Sequence, residues 1–142
     1  MDPYEYQRGD LPLTKITHVG ASNLCKSRGM RLCTVKEWQG VCTKNGAYAY
    51  SRRYRSGRCN VDEPGSSGEV ESAKSHPKCS YQRIYDLIGN VSEWTQEGAV
   101  MGGHFETDAR EARCSLAEKR ALNRKSPLVG FRCCSDLIIA TP

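Results

Sequence analysis

Apolar and polar positions divide the chain into a helical first third, a long polar middle and a strand-like last third. The stretch to about Lys15 is polar and broken by Pro3, Gly9 and Pro12, which predicts extended or looped chain as far as Ile16-Thr17-His18-Val19. Over 20–28 the residues Ala21, Leu24 and Cys25 recur at helical spacing, and Gly29 stands where a helix stop belongs. A second helix begins at Thr34. There Thr34-Val35-Lys36-Glu37 has the form of a capping box, whose hydroxyl and carboxylate each satisfy a free backbone amide. Val35, Trp38, Val41 and Cys42 follow at three- and four-residue intervals and make one buried face. Residues 43–80 carry few aliphatic side chains and much Gly, Ser, Arg and Lys, so this segment is read as loop. A loop that long needs pinning, and a bridge between Cys59 and Cys79 would close its second half. Short strands are predicted over 84–88, 92–95, 99–101 and 130–134, punctuated by Gly89, Gly98, Gly102, Gly103 and Gly130. Two helices followed by short antiparallel strands and long loops make an α+β arrangement.

At 142 residues, with 38% hydrophobic and 26% charged positions, the chain is read as a single domain spanning 1–142. The net charge of +5 is scattered, with one dense group: Arg52, Arg53, Arg55 and Arg58 among Tyr48, Tyr50 and Tyr54. That group is read first as a solvated basic loop, and second as a contact for nucleic acid or an acidic glycan. Arg8-Gly9-Asp10 has the form of an integrin-binding tripeptide, a triplet that chance supplies often. No apolar run is long enough for a transmembrane helix. No export signal precedes Asp2, so such a signal was removed or the domain belongs to a longer chain, with Met1 an added start.

Eight cysteines, Cys25, Cys33, Cys42, Cys59, Cys79, Cys114, Cys133 and Cys134, are an even number suited to complete pairing. They imply an oxidising compartment: periplasm, cell surface or extracellular space. Zinc is disfavoured, because there is no Cys-x-x-Cys pair and His18, His76 and His104 are far apart. Eight cysteines alone leave roughly a hundred connectivities.

Several short pieces together carry a resemblance. They are Ala21 to Cys25, Gly29-Met30-Arg31-Leu32-Cys33-Thr34, Glu37-Trp38, Cys42 and Cys59-Asn60. After these come Ile84-Tyr85-Asp86-Leu87-Ile88-Gly89-Asn90-Val91-Ser92-Glu93-Trp94, Gly102-Gly103, Cys114 and Gly130-Phe131-Arg132-Cys133. In this order, over about 16–135, the chain resembles the formylglycine-generating enzymes (sulfatase-modifying factors), whose fold is a variant of the C-type lectin fold. The resemblance implies disulfides Cys25 to Cys133 and Cys42 to Cys114; it leaves the remaining four open, and adjacency and elimination favour Cys33 with Cys134 and Cys59 with Cys79. It also implies a structural calcium ion held by Asp86, Gly89, Val91 and Glu93, a set of hard oxygen ligands of the kind calcium takes. A second calcium site of the family would begin at Asn60 and Val61, but its acidic ligand has no clear counterpart. Asn90-Val91-Ser92 is a glycosylation triplet set inside the expected ion-binding turn, where it is read as unusable.

The pattern breaks at the chemistry. The enzymes of the family use two closely spaced cysteines that bind Cu(I) between the Gly-Gly motif and the structural cysteine, since Cu(I) needs soft thiolates. Here the interval from Gly102-Gly103-His104 to Arg113 contains no cysteine before Cys114, so no copper is expected. Three scattered histidines do not make the cluster of the related iron-dependent enzymes, and His104 has no identifiable nucleophile partner. The expected function is therefore a non-catalytic, extracytoplasmic module that binds a protein, peptide or glycan through the loops 43–80 and 104–127. Tyr48, Tyr50, Tyr54, Arg55 and His104 are the candidate ligand surface, because Tyr and Arg concentrate binding energy. The alternatives are a divergent oxidoreductase or protein-modifying enzyme with another site, and a structural part of a larger envelope protein.

Overall fold

The computed structural model describes residues 1–136. Helix α1 (His18–Ser27) starts two residues before the predicted boundary because the Thr17 hydroxyl accepts the Gly20 N–H at 3.1 Å and fixes the first turn. It ends at Arg28, after which Gly29 takes a left-handed φ of 71°. In helix α2 (Val35–Cys42) both halves of the capping box are made: Glu37 N to Thr34 Oγ1 at 3.1 Å, and Thr34 N to Glu37 Oε1 at 2.9 Å. Its inner face carries Trp38 and Cys42, both fully buried.

The strands are short. In chain order they are β1 (Gln7–Arg8), β2 (Leu11–Pro12), β3 (Arg31–Leu32), β4 (Ser80–Tyr81), β5 (Ile84–Tyr85), β6 (Ser92–Trp94), β7 (Ala99–Met101), β8 (Ala117–Lys119), β9 (Val129–Phe131) and β10 (Cys133–Cys134). A four-stranded sheet runs β8-β7-β6-β9, while β1 with β2, β3 with β10 and β4 with β5 form separate pairs.

Four expectations need correction. The N-terminal segment, read as extended or looped, holds the β1-β2 hairpin. The predicted strand over 84–88 stops at Tyr85, since Asp86 turns left-handed with φ of 58° and leads into a tight turn. The strand over 130–134 is two strands: β9 pairs with β6, and β10 pairs with β3. Arg132 stands at this change of sheet with its side chain in the interior. The sheet is also not wholly antiparallel, because β6 and β9 run parallel.

Two apolar clusters fill the interior. One gathers Trp38, Leu87, Ile88 and Met101 around α2; the other gathers Ala21, Leu32, Trp94, Val100 and Phe131 between α1 and the sheet. Cystine ties the frame: Cys25 bonds Cys133, Cys33 bonds Cys134, Cys42 bonds Cys114 and Cys59 bonds Cys79. In the chain-entropy description each contributes about 2–4 kcal/mol by restricting the unfolded chain.

Glu37 joins the cap to the frame, since its carboxylate also receives Arg31 Nη1 at 2.6 Å and Nη2 at 2.8 Å. These hydrogen bonds from Arg31 hold the Glu37 carboxyl at about 2, below its usual 4.5. A lowered carboxylate stabilises the fold above its unfolded value and loses that contribution as pH falls toward the folded one. Glu37→Gln, which keeps the cap acceptor but not the charge, is expected to lose up to about 1 kcal/mol at neutral pH, as a half-exposed pair does. In urea melts across pH, the gap between wild type and variant should close between about pH 4.5 and 2.

Candidate functional site

The centre of the described chain is a buried charge pair. Arg132 Nε donates to Glu93 Oε1 at 2.6 Å and Nη2 to Glu93 Oε2 at 3.0 Å, with Arg132 1% and Glu93 0% exposed. Trp38 Nε1 donates to the same Oε1 at 3.2 Å. The other guanidinium protons reach the carbonyls of Asp2 (3.1 Å), Pro3 (3.4 Å) and Tyr85 (2.7 Å). Two further buried carboxyls, Glu5 and Asp86, lie in the same electrostatic environment. Burial, reinforced by Asp86 and Glu93, pushes the Glu5 carboxyl well up; burial takes Asp86 to about 7 against the pull of Arg132. Glu5 sits in a polar segment without a motif, so no local signal marks it as a member of this cluster.

The expected calcium turn lies directly on this cluster. Asp86, Gly89 and Asn90 all take left-handed backbone, with φ of 58°, 76° and 61°. Gly89 is required by packing as well, because a Cβ there would stand 2.4 Å from the Asn60 carbonyl oxygen. Asp86 Oδ1 is buried without a hydrogen-bond partner, which suits a hard-cation ligand. Glu93 is more heavily used: of roughly four acceptor positions on a carboxylate, Trp38 and Arg132 take three. The residue set fits a cation that relies on Asp86 and on carbonyls more than on Glu93. Among the described residues no three His, Cys, Asp or Glu side chains converge as a metal-holding group. Asn60, the expected start of a second calcium site, also has a buried oxygen without a partner, while its amide bonds Asn90 at 2.9 Å.

The interval that follows the Gly-Gly motif is a closed loop. Gly102 has φ of 89°, and a Cβ on it would meet the Leu87 carbonyl oxygen at 2.1 Å. His104 is half-buried, and burial lowers its pKa. Its Nδ1 accepts the Glu106 N–H at 3.1 Å, and its own N–H goes to Thr107 Oγ1 at 2.9 Å. The imidazole therefore braces its own loop. His18 and His76 are occupied elsewhere, His18 on the Thr95 carbonyl and His76 on Glu71. Cys114, at the end of the interval, is bonded to Cys42.

In the 48–58 segment the tyrosine hydroxyls are all engaged within the protein, Tyr48 being buried and Tyr50 and Tyr54 half-buried. Tyr48 is buried, with its hydroxyl donating to the Arg110 carbonyl at 2.8 Å, so its place in the candidate ligand surface is corrected. The Tyr54 hydroxyl bonds Glu63, which raises its pKa to about 12, and the Arg110 guanidinium covers its ring at 4.8 Å. Tyr50 receives the Arg55 N–H at 3.2 Å. The exposed groups are the arginines Arg52, Arg53 and Arg55.

With this geometry in place, the comparison with known families decides the assignment. Residues 1–137 match the profile described as the sulfatase-modifying factor enzyme 1-like domain. The chain belongs to that family. Two relatives are the inactive C-alpha-formylglycine-generating enzyme 2 of Mus musculus, 27% identical over 89% of this chain, and that of Bos taurus, 26% identical over 89%. The chain spans about half the length of these relatives, 50% in each case. Among solved structures, Treponema denticola variable protein 1 is similar with a TM-score of 0.66 and 14% identity, over 88% of this chain and 71% of that one. The crystal structure of CarF is similar with a TM-score of 0.70 and 17% identity, over 91% of this chain and 69% of that one. The fold is thus the α+β fold of the formylglycine-generating enzymes in a minimal form, and the family's cysteine pair is missing from the interval before Cys114.

In this member of the family, removing one partner of the buried pair strands the other. Arg132→Met is expected to cost about 3–5 kcal/mol, read by chemical denaturation. Adding Glu93→Gln to Arg132→Met should recover part of that loss, since the second change removes the stranded charge; a double variant no better than the single one would contradict the pairing.

Proposed function

We propose that this chain is a non-catalytic binding module, one domain throughout, that keeps the frame of the formylglycine-generating enzymes and holds a protein, peptide or glycan on its loops. The observation that carries this reading is the use of its cysteines. All eight stand in four disulfides, Cys114 included, which leaves no thiolate pair for the copper-dependent oxidation of the family. That two relatives bear the name inactive formylglycine-generating enzyme supports it. Four cystines fit an oxidising compartment, and within it we place the module in the periplasm, on the cell surface or outside the cell. Among the described residues no helix is long and apolar enough to cross a membrane.

Calcium is part of the same proposal. Asp86 and the remaining acceptor position of Glu93, with the carbonyls of Gly89 and Val91, would hold it. Its charge would compensate a buried region in which Glu5, Asp86 and Glu93 face a single guanidinium.

The native oxidised protein should bind no Cu(I) and form no aldehyde on a cysteine-bearing sulfatase peptide, and after denaturation without reductant it should contain no free thiol by mass spectrometry. Two thiols with tight Cu(I) binding and aldehyde product would overturn the non-catalytic reading. The melting temperature should rise on adding calcium, fall back with chelator, and be indifferent to both in Asp86→Ala. A wild-type protein indifferent to both would remove calcium from the reading.

A further inference from the structure

The 43–58 segment forms a cavity wide open to solvent, of about 540 Å³, lined by Asn45, Tyr50, Arg52, Arg53, Arg55 and Arg58. No carboxylate lines it. Among the described residues none of the four guanidinium groups forms a hydrogen bond or an ion pair. The nearby carboxylate Glu63 is already engaged through both oxygens, by the Tyr54 hydroxyl and by the Gly57 N–H at 3.0 Å. Four like charges around one concavity repel one another, and nothing within the described chain neutralises them there.

The backbone that presents these charges is held firmly. Gly46 has φ of 109°, and a Cβ on it would lie 2.6 Å from Arg52 Cα, so the two strands of the loop touch. Tyr48 N bonds the Ser51 carbonyl at 3.1 Å, Asn45 Nδ2 the Tyr50 carbonyl at 2.9 Å, and Cys114 N the Ala47 carbonyl at 2.8 Å. Cystines Cys42–Cys114 and Cys59–Cys79 fasten the regions on either side. A loop fixed in this way lowers the ordering cost of binding, while each guanidinium fork can donate paired hydrogen bonds to two oxygens of a tetrahedral oxyanion.

We propose that this arginine-lined cavity is a binding site for the sulfate esters of an acidic glycan. The proposal rests on the binding-module reading and names the class of its ligand. Single-stranded nucleic acid offers the same charge and binds best where several aromatic faces stack its bases. Here Tyr50 alone of the tyrosines lines the cavity, while Tyr48 is buried and Tyr54 lies beneath Arg110. The cavity has room for one sulfated sugar, and the disulfides match the compartment in which such glycans occur.

The test is calorimetric titration of the oxidised protein with a heparin octasaccharide, beside hyaluronan oligosaccharide of equal length and a single-stranded DNA 12-mer. Binding is expected for the octasaccharide, with a slope of log K against log salt of about −3 for four charges. Hyaluronan, which carries carboxylates alone, and the DNA should both bind at least about tenfold more weakly. The triple variant Arg52→Ala, Arg53→Ala, Arg55→Ala should weaken octasaccharide binding about a hundredfold with an unchanged melting temperature. Arg8→Ala, Lys26→Ala, Lys36→Ala, which removes equal charge from exposed positions outside both loops, should change it less than about threefold. No octasaccharide binding at low salt, equal losses in both triples, or tighter binding of DNA or hyaluronan would each overturn the proposal. Thiol counts and Cu(I) titration on the same preparation separate the failures. Zero thiols without octasaccharide binding leaves a binding module with another ligand, whereas Cu(I)-binding thiols remove the module reading whatever the glycan does.

Discussion

A guanidinium with almost no access to solvent is the constraint around which the chain is arranged. Arg132 cannot be deprotonated, so every one of its donors must find an acceptor once water is excluded. Glu93 on β6 supplies two, and the carbonyls of Asp2, Pro3 and Tyr85 supply the rest. One side chain thereby fixes the N-terminal segment, the end of β5 and the central strand relative to the last two strands. Its position at the step from β9 to β10 explains why that run is not one strand, since the chain has to bend inward to place the head group. The same pair sets the polarity of its neighbourhood. With Glu93 matched to Arg132, the charges of Asp86 and Glu5 are left over in a dry region, and their carboxyls respond by moving upward.

Local chemistry made part of this legible beforehand. Thr34 and Glu37 announce a helix start because both hydrogen bonds of the box lie within four residues, and Gly29 announces a stop because left-handed backbone costs glycine little. Long-range chemistry was not legible. Glu93 and Arg132 were each visible within a motif, yet nothing local says that residues 39 apart share a hydrogen bond. The parallel pairing of β6 with β9 is hidden for the same reason. The β4-β5 hairpin was hidden differently: its turn uses Gln82 and Arg83 at φ of 49° and 64°, where glycine or asparagine would have signalled it. Strand β8 has no apolar alternation to reveal it, being an edge strand whose ends are exposed.

The loops 43–80 and 104–127 meet on one supported surface. Asp62 N bonds the Thr107 carbonyl at 2.8 Å and Ala109 N bonds the Asp62 carbonyl at 3.1 Å, so the interval after Gly-Gly is docked on the polar middle segment. In the interval before Cys114 this chain has a braced loop and a cystine, and the exposed positive charge lies on the arginine side of the same region. Of the tyrosines, Tyr48 packs beneath that surface, Tyr54 lies under Arg110 and Tyr50 lines the cavity itself.

The adjacent half-cystines Cys133 and Cys134 have a mechanical consequence. Each is bonded back to the first third of the chain, Cys133 to Cys25 and Cys134 to Cys33. Tension entering ahead of Cys25 and leaving beyond Cys134 crosses from one chain end to the other through the buried Cys25–Cys133 bond. Helix α2, the four-stranded sheet and the arginine-bearing loop lie between those two residues in sequence and so outside the line of force, and stretching would leave that surface in shape while the frame bears the load.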